Sequence, residues 1–328
     1  MSWTDIRKQR LYQRQQIIST IREDLYREGF LEVETPILVK NTTPDAFIDS
    51  VQAGDGYLIT STEYQVKRLI AGGFDKVFTL TKNFRAHDQG RYHSPEFTMI
   101  EWGRAFKTLS DIEEDAVRFI KKAFRLIHPK KDFLNFNGNE IHFLADPWDR
   151  LTVREAFRIH LALEDLGDFS LECLCQASQK AGISLPDSFQ YEKSLVISFL
   201  LDQLQSNLGK HRPTFLHEWP SYLTSSAPTS LNDPCVAERS ELYIGGIEIA
   251  NGFPFLTDPR KQKVLFEKQQ NERKALGKPV VPMDEKYIES LKKLPEGVGM
   301  ALGIDRLVMV LTEAKKLSDV QTFEWEEL

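Results

Sequence analysis

The sequence predicts an α+β fold built around an antiparallel sheet, and three observations predict it. Short apolar runs of strand length recur at 56–60, 77–80, 97–102, 242–250 and 298–304. Helical periodicity is confined to other segments, chiefly 10–28, 108–127 and 261–276. The two patterns do not alternate in the regular rhythm of βαβ units, so strands and helices segregate instead of forming a doubly wound sheet.

The elements follow in order. In 10–28, Leu11, Ile17, Ile18, Ile21 and Leu25 fall at near-helical spacing, and Gly29 stands where a C-cap glycine ends a helix. The next stretch, FLEVETPIL, interleaves Phe30, Leu31, Val33, Ile37 and Leu38 with acids, and Pro36 interrupts it. An edge strand or an interface is expected there, because proline cannot donate to a sheet ladder. Residues 108–127 read as an amphipathic helix. Residues 146–209 read as a largely helical insertion between two halves of the sheet, with 188–207 among its helical parts. A charged helix over 261–276 and a helix resuming at Asp305, after Gly303, complete the chain. Residues 1–328 are thus read as one domain carrying an insertion.

Composition narrows the function. The chain has 328 residues, 41% of them hydrophobic, enough for a sizeable core. Forty-eight acidic residues against 42 basic ones give a net charge of −6, which argues against a dedicated nucleic-acid binder. Cys173, Cys175 and Cys235 form no pair of CxxC motifs, so neither a disulfide framework nor a structural zinc site is suggested. No run approaches the roughly 20 apolar residues that span a bilayer. A cytoplasmic protein without membrane insertion is expected.

Three polar clusters carry chemistry. The first is the run 83–98, NFRAHDQGRYHSPEFT, a strand, a Gly-containing loop and a second strand. It gathers Arg85, His87, Arg91, His93 and Ser94 on one hairpin. Guanidinium groups bind phosphate oxygens in pairs and stabilise charge on a transferring group, so the hairpin suits a nucleoside triphosphate. By composition alone it reads equally as a solvated surface hairpin. The second cluster is GVGMALGIDR, 297–306, in which glycines permit close backbone approach and Arg306 follows a strand-to-helix turn. It contains neither GxGxxG nor a P-loop lysine, and taken alone it reads as a tight turn in a packed strand. The third is GGIEIANGF, 245–253, where Glu248 and Asn251 interrupt an apolar strand. A carboxylate in such a place is costly unless it meets a cation or a metal, so Glu248 reads as a ligand contact or a structural partner.

Taken together the clusters resemble a known family. GFLEVETPIL, FRAHDQGRYHSPEFTMIEW and GMALGIDR are similar, in order and separation, to motifs 1, 2 and 3 of the class II aminoacyl-tRNA synthetase catalytic domain, in its lysine, aspartate and asparagine subgroup. Within that subgroup the chain resembles the lysyl-tRNA synthetase paralogues that ligate (R)-β-lysine to elongation factor P. The likeness runs from about Arg10 to the end and includes TSTEYQVKRL, PTFLHEWP and VAERSELYIGGIEIANGF.

The resemblance implies ATP and magnesium as cofactors, an aminoacyl-adenylate as intermediate, and a homodimer through motif 1. It implies that Arg85 holds the α-phosphate, that Arg91 and His93 reach the β- and γ-phosphates, and that Phe97 and Arg306 lie on the two sides of adenine. His87, Ser94, Ile249 and Gly303 would complete the nucleotide site, and Glu248 would hold the metal. Ser61, Thr62, Glu63, Glu101, Gly103, Asn251, Phe255 and Ala301 would face the amino acid. The anticodon-binding domain that precedes motif 1 in a lysyl-tRNA synthetase has no counterpart before Gly29, and Ala301 stands where the synthetase has glycine. Both features imply a protein lysine as acceptor, with a tRNA or a small amine as alternatives. A regulatory paralogue that binds nucleotide or amino acid without turnover is the reading from another class.

Four positions depart from the family pattern. His87 replaces a glutamate at the nucleotide, Gly103 a tyrosine, Phe255 a glutamate, and Lys261 an acidic residue. Gly103 is expected to enlarge the amino-acid pocket and Phe255 to make it less acidic. A substrate side chain without a terminal ammonium follows, in place of lysine or β-lysine.

Overall fold

Thr4 opens the first helix, its hydroxyl oxygen accepting the Arg7 amide at 3.2 Å. The structure, a computed structural model, describes residues 4–186, 189, 192–324 and 327. The chain divides into two compact units, Met1–Asp132 with Gly252–Leu328, and Phe133–Asn251.

In the first unit α1 (Asp5–Arg27) buries Ile17, Ile21, Leu25 and the carboxylate of Asp24. It ends as expected at Gly29, whose φ of +80° is the left-handed conformation that glycine takes without strain. FLEVETPIL contributes two two-residue strands instead of one, β1 (Leu31–Glu32) and β2 (Leu38–Val39). Pro36, lacking an N–H, lies between them. Strand β2 joins β3 (Gln52–Ala53) and β4 (Gly56–Leu58) in a small antiparallel sheet of their own. Then come α2 (Glu63–Ala71), β5 (Lys76–Phe84), β6 (Glu96–Ala105) and α3 (Leu109–Ile127). A reciprocal capping box between Thr108 and Asp111 starts α3. Strands β5 and β6 pair antiparallel from Lys76↔Arg104 to Phe84↔Glu96, the hairpin anticipated around 83–98.

The second unit begins with β7 (Phe133–Phe136) and β8 (Asn139–His142). Asn137 and Gly138, at φ +50° and +79°, make the two-residue turn whose positive angles favour Asn-Gly. Next follow β9 (Asp149–Thr152), α4 (Val153–Leu161), α5 (Leu171–Lys180) and α6 (Lys193–Gln205). Strands β10 (Thr214–Pro220), β11 (Val236–Ile244) and the first part of β12 (Ile247–Pro254), up to Asn251, complete it, in the order β9-β10-β11-β12. The segment 146–209 is thus helical in three pieces, but Asp149–Thr152 is a strand, because it pairs parallel with Thr214–His217 of β10. Of the expected helix over 188–207, Ser188, Gln190 and Tyr191 lie outside the described residues. Phe157, Phe169, Leu174, Ile197 and Leu200 of the helical segment pack with Leu216 and Trp219 of β10 in one core.

Back in the first unit, α7 (Pro259–Ala275) is capped by Asp258, which accepts the Arg260 amide at 2.8 Å. After α8 (Glu285–Ser290) come β13 (Gly297–Gly303) and α9 (Ile304–Leu311). The strand order here is β1-β5-β6-β13. Strands β1 and β5 run parallel, whereas β5, β6 and β13 are antiparallel, so the sheet is mixed but antiparallel-dominated. Met300 and Leu302 of β13 sit opposite Trp102 and Ile100, and all four are buried. Each such side chain contributes about 1.5–3 kcal/mol of transfer free energy. The other face of β13 carries Gly297, Gly299, Ala301 and Gly303. No helix among the described residues is long and apolar enough to cross a membrane.

Candidate active site

The β5–β6 hairpin brings the motif 2 residues to one end of the first unit. The Arg85 amide donates to Pro95 O at 2.9 Å, which closes the loop, and the Arg85 guanidinium lies over the Phe97 ring, 5.2 Å from its centroid. His87 is exposed, with φ +64°. Gly90 and His93 exchange backbone hydrogen bonds at 3.2 and 3.3 Å, so the hairpin folds back on itself. Arg91 reaches across to donate from Nε to Lys315 O at 2.8 Å.

Motif 3 meets this hairpin directly. Arg306 Nη2 lies 2.7 Å from His93 Nε2, and Arg306 Nε donates to Tyr92 O at 3.2 Å. A guanidinium has only donors, so in this contact His93 Nε2 is the acceptor. A cleft of about 450 Å³ opens beside the hairpin, lined by Gln89, Gly90, Arg91, His93, Ser94, Pro95, Lys316, Ser318, Gln321 and Glu324.

The residue before Arg306 explains why the two motifs meet. Buried Asp305 accepts the Thr98 amide at 2.8 Å and pairs with Arg14 at 2.5 Å, and Arg14 also donates to Thr98 Oγ1 at 2.9 Å. Helix α1, strand β6 and helix α9 are therefore tied at one carboxylate. Sequence reasoning missed Arg14 and Asp305, since nothing in a one-dimensional pattern connects positions so far apart.

A second group lies on the same face of the sheet. Strand register sets Ala301 opposite Glu101, Gly299 opposite Gly103 and Gly303 opposite Met99. Glu101 is buried, and one of its oxygens accepts three bonds: Ser61 Oγ at 3.0 Å, the Thr62 amide at 3.1 Å and Thr62 Oγ1 at 3.0 Å. Burial, with the nearby charge of Glu63, nonetheless pushes its pKa up to about 7, against the lowering effect of those hydrogen bonds.

Gly103 does not enlarge a pocket. An added Cβ would meet Ile70 Cδ1 at 2.8 Å, Val66 Cγ1 at 2.9 Å and Phe255 Cζ at 3.4 Å. The Phe255 ring also covers Gly299 and Gly297, where a Cβ would stand 3.2 and 2.8 Å from it. Three glycines thus form a flat bed for one aromatic ring, and the Phe255 amide donates to Gly297 O at 2.8 Å. The expectation failed because it treated Gly103 and Phe255 separately, whereas the ring fills the space that the glycine leaves.

Lys67 is a further residue that sequence reasoning missed. Only 2% exposed, it ion-pairs with Glu63 at 2.6 Å, and its ammonium lies 5.1 and 5.8 Å from the ring centroids of Phe253 and Phe255. The i,i+4 spacing of Glu63 and Lys67 was the available signal. Lys261, by contrast, is exposed on α7, where its amide donates to the capping Asp258.

In the second unit, Glu248, Ile249 and Asn251 lie on β12. Glu248 is half-buried, and its charge, after burial and the charge of Glu241, helps to raise the pKa of Tyr243. Arg239 donates to Asn251 Oδ1 at 3.0 Å, forms an ion pair with Glu241 and covers the Trp219 ring at 4.7 Å. Buried Glu241 also accepts Tyr243 OH at 2.6 Å. Glu241 and Arg239 escaped the sequence reading because they lie in VAERSELYI, a run noted only for its likeness to relatives. Among the described residues no group of three or more His, Cys, Asp or Glu side chains could hold a metal ion.

Residues 3–326 match the family described as tRNA synthetases class II (D, K and N), and the chain belongs to that family. Its similarity to individual proteins is narrower. It is 35% identical over 328 residues to the elongation factor P--(R)-beta-lysine ligase of Pectobacterium atrosepticum, covering 96% of this chain and 95% of the relative. The ligases of the same name from Salmonella arizonae and Photorhabdus laumondii are 35% and 36% identical over 325 residues, each covering 95% of this chain and 94% of the relative.

Proposed function

We propose that this chain activates an amino acid with ATP and ligates it to a lysine of elongation factor P. A carboxylate oxygen of the amino acid attacks the α-phosphorus, the bond to the β-phosphate oxygen breaks, and aminoacyl-adenylate and pyrophosphate result. The lysine amine then attacks the acyl carbon, AMP leaves, and the amine proton passes to solvent. The observation that carries this reading is the contact between Arg306 and His93, which unites motifs 2 and 3. The names of the relatives supply the acceptor.

Arg91 and His93 line the cleft, Arg306 meets His93, and Arg85 lies over Phe97 on the same hairpin, a set whose guanidinium chemistry fits a polyphosphate. Arg85 steadies the α-phosphate, Arg91 and His93 the outer phosphates, and Phe97 and Arg306 flank adenine, with His87, Ser94, Ile249 and Gly303 completing the contacts. In this reading Arg306, which contacts His93 and Tyr92 O, lies on the far side of adenine near the γ-phosphate. Glu248 is the residue read as holding magnesium, which takes few protein carboxylates and keeps phosphate and water oxygens for the rest. When bound, that ion neutralises charge on the leaving pyrophosphate. Ser61, Thr62, Glu63, Glu101, Gly103, Asn251, Phe255 and Ala301 are read as the residues around the amino acid. We read residues 1–328 as a single catalytic domain, and the partly exposed Leu31, Ile37 and Leu38 of motif 1 support a homodimer through that segment.

Incubating the protein with ATP, labelled amino acid and either elongation factor P or total tRNA tests the acceptor. Label should appear on elongation factor P and be lost when its acceptor lysine is replaced by arginine. Label on tRNA alone would refute this assignment.

A further inference from the structure

Residues 41–50 run as an irregular strap between β2 and β3, and helix α7 supplies its hydrogen bonds. Buried backbone groups outside a ladder or a helix need such partners. Gln269 Oε1 accepts the amide of buried Ala46 at 2.8 Å, and Lys278 Nζ donates to Ala46 O at 3.1 Å. Arg273, only 3% exposed, spreads its fork over the rest of the strap. Its Nη1 donates to Asp45 O at 2.8 Å and to Ile48 O at 3.1 Å, its Nη2 to Asp49 Oδ1 at 3.0 Å, and its Nε to Pro279 O at 2.8 Å. The second carboxylate oxygen of Asp49 accepts Lys278 Nζ at 3.0 Å. Lys278 reaches it because Gly277, at φ +69°, ends α7 and turns the Lys278 amide back to Arg273 O at 2.9 Å. Burial pushes the Asp49 carboxyl up, but the hydrogen bonds and charges of Lys278 and Arg273 outweigh it and hold the group below its usual pKa.

The strap in turn holds the motif 2 hairpin. Phe84, Arg85 and Ala86 donate their amides to three different segments: to Ile59 O at 2.8 Å, to Pro95 O at 2.9 Å and to Asp49 O at 2.7 Å. The bond to Asp49 is the anchor immediately before His87, whose φ of +64° is a conformation that residues other than glycine adopt at a cost. The direction in which the Arg85 side chain leaves the hairpin therefore depends on a backbone fastened to Asp49.

From this chain of contacts we infer that Arg273 is a positioning residue for the nucleotide site: through Asp49 and the strap it fixes the turn Arg85–His87, and with it the guanidinium that holds the α-phosphate. The inference rests on the proposed role of Arg85. It adds to the reaction a residue on α7 that acts through the strap and not on the substrate.

A double-mutant cycle in amino-acid-dependent pyrophosphate exchange tests it, with Arg273→Lys, Arg85→Ala and the double variant. Lysine keeps the charge but cannot fork to two carbonyls and a carboxylate. Arg273→Lys alone should lower kcat/KM for ATP by roughly 10–10²-fold, the scale of a displaced catalytic group, with the KM for the amino acid within about twofold of the wild type. Added to Arg85→Ala, it should cost less than about threefold more, because no guanidinium is left there to misplace. No loss in Arg273→Lys, equal losses in both backgrounds, or an equal rise in both KM values would overturn the inference. Asp49→Asn, at a partly exposed side chain, repeats the cycle without a buried substitution. The same non-additivity is expected there with a smaller loss, and additive losses would again overturn the inference. A wild type that shows no exchange with any amino acid overturns the adenylation reading alone. The cycle is then read in the dissociation constant for ATP by calorimetry, where weakening only when Arg85 is present is expected and equal weakening in both backgrounds overturns the inference. A wild type that binds no ATP overturns both.

Discussion

Arg14 and Asp305 face each other at 2.5 Å, nearly three hundred residues apart in the chain, and so set the start of α9 against strand β6. Because Arg306 follows Asp305, this pair positions the motif 3 arginine that meets His93. Removing one partner of a buried ion pair typically costs about 3–5 kcal/mol, since the other charge is left unpaired. Asp305→Ala should therefore lower the unfolding free energy by about 3 kcal/mol in urea titration and also raise the KM for ATP. Wild-type stability and KM would show that the pair has no positioning role.

Arg306 uses two nitrogens of its fork, Nη2 to His93 and Nε to Tyr92 O. Lysine keeps the charge but cannot reproduce a planar fork. Arg306→Lys should lower kcat/KM for exchange by roughly 10²-fold, the scale of losing one preorganised donor, with an unfolding midpoint close to that of the wild type. A variant with full activity would mean that charge alone suffices at this position.

Glu101 makes stability depend on pH. Its pKa rises from 4.5 to about 7 on folding, through burial and the charge of Glu63, so the folded state holds the proton more tightly than the unfolded chain. Between about pH 4.5 and 7 the folded protein binds more protons, and its stability falls as pH rises through this window. The loss amounts to about 3 kcal/mol and is complete above the folded pKa. Glu101→Gln, which keeps an accepting oxygen for Ser61 and Thr62, should remove this component. Urea unfolding of both proteins at pH 5 and pH 8 measures it, and an equal pH dependence in the two would contradict the assignment.

The glycines under Phe255 differ in what they tolerate. A Cβ at Gly297 would collide with Arg104 O, a backbone atom, whereas at Gly103 its closest contacts would be the ends of the Ile70 and Val66 side chains. Overpacking of the second kind typically costs about 1–3 kcal/mol. Gly103→Ala should fold with a loss in that range, and Gly297→Ala should lose more. Thermal unfolding monitored by circular dichroism ranks them, and the reverse order would show that the strand backbone moves easily here.

Breaking the buried pair of Arg104 and Asp115 should affect stability without touching the chemistry. Arg104 donates twice to Asp115, at 2.6 Å each, and Asp24 nearby takes Arg118 and Lys122. Asp115→Ala should cost about 3–5 kcal/mol in urea unfolding, while the KM for ATP measured well below the melting temperature stays unchanged. A raised KM with normal stability would place this cluster in the active site instead.

What the sequence made legible was local. The helix over 10–28 and its end at Gly29, the β5–β6 hairpin and the capped helix after Thr108 all follow from spacing and caps within a few residues. The four positions that carry the nucleotide reading were also visible, because three ordered motifs constrain one another. What the sequence hid was contact between distant segments. Arg14 with Asp305 joins two ends of the chain, and no periodicity announces it. The strand Asp149–Thr152 went unnoticed inside the largely helical 146–209 because its pairing partner β10 lies more than sixty residues on. Gly103 and Phe255 were each noticed, yet only the three-dimensional register, with Gly299 opposite Gly103, shows that one fills the space left by the other.

Adenylate formation is the claim on which the rest depends, and amino-acid-dependent pyrophosphate exchange in wild type and Arg85→Ala tests it most directly. The Arg85 backbone amide donates a hydrogen bond to Pro95 O, which alanine retains, and the side chain lies on the face of Phe97, so Arg85→Ala should leave the fold in place. The account predicts exchange in the wild type that requires an amino acid, and a loss of roughly 10²–10³-fold in kcat/KM for the variant. Exchange that proceeds equally in both proteins, or in neither with any amino acid, would contradict it.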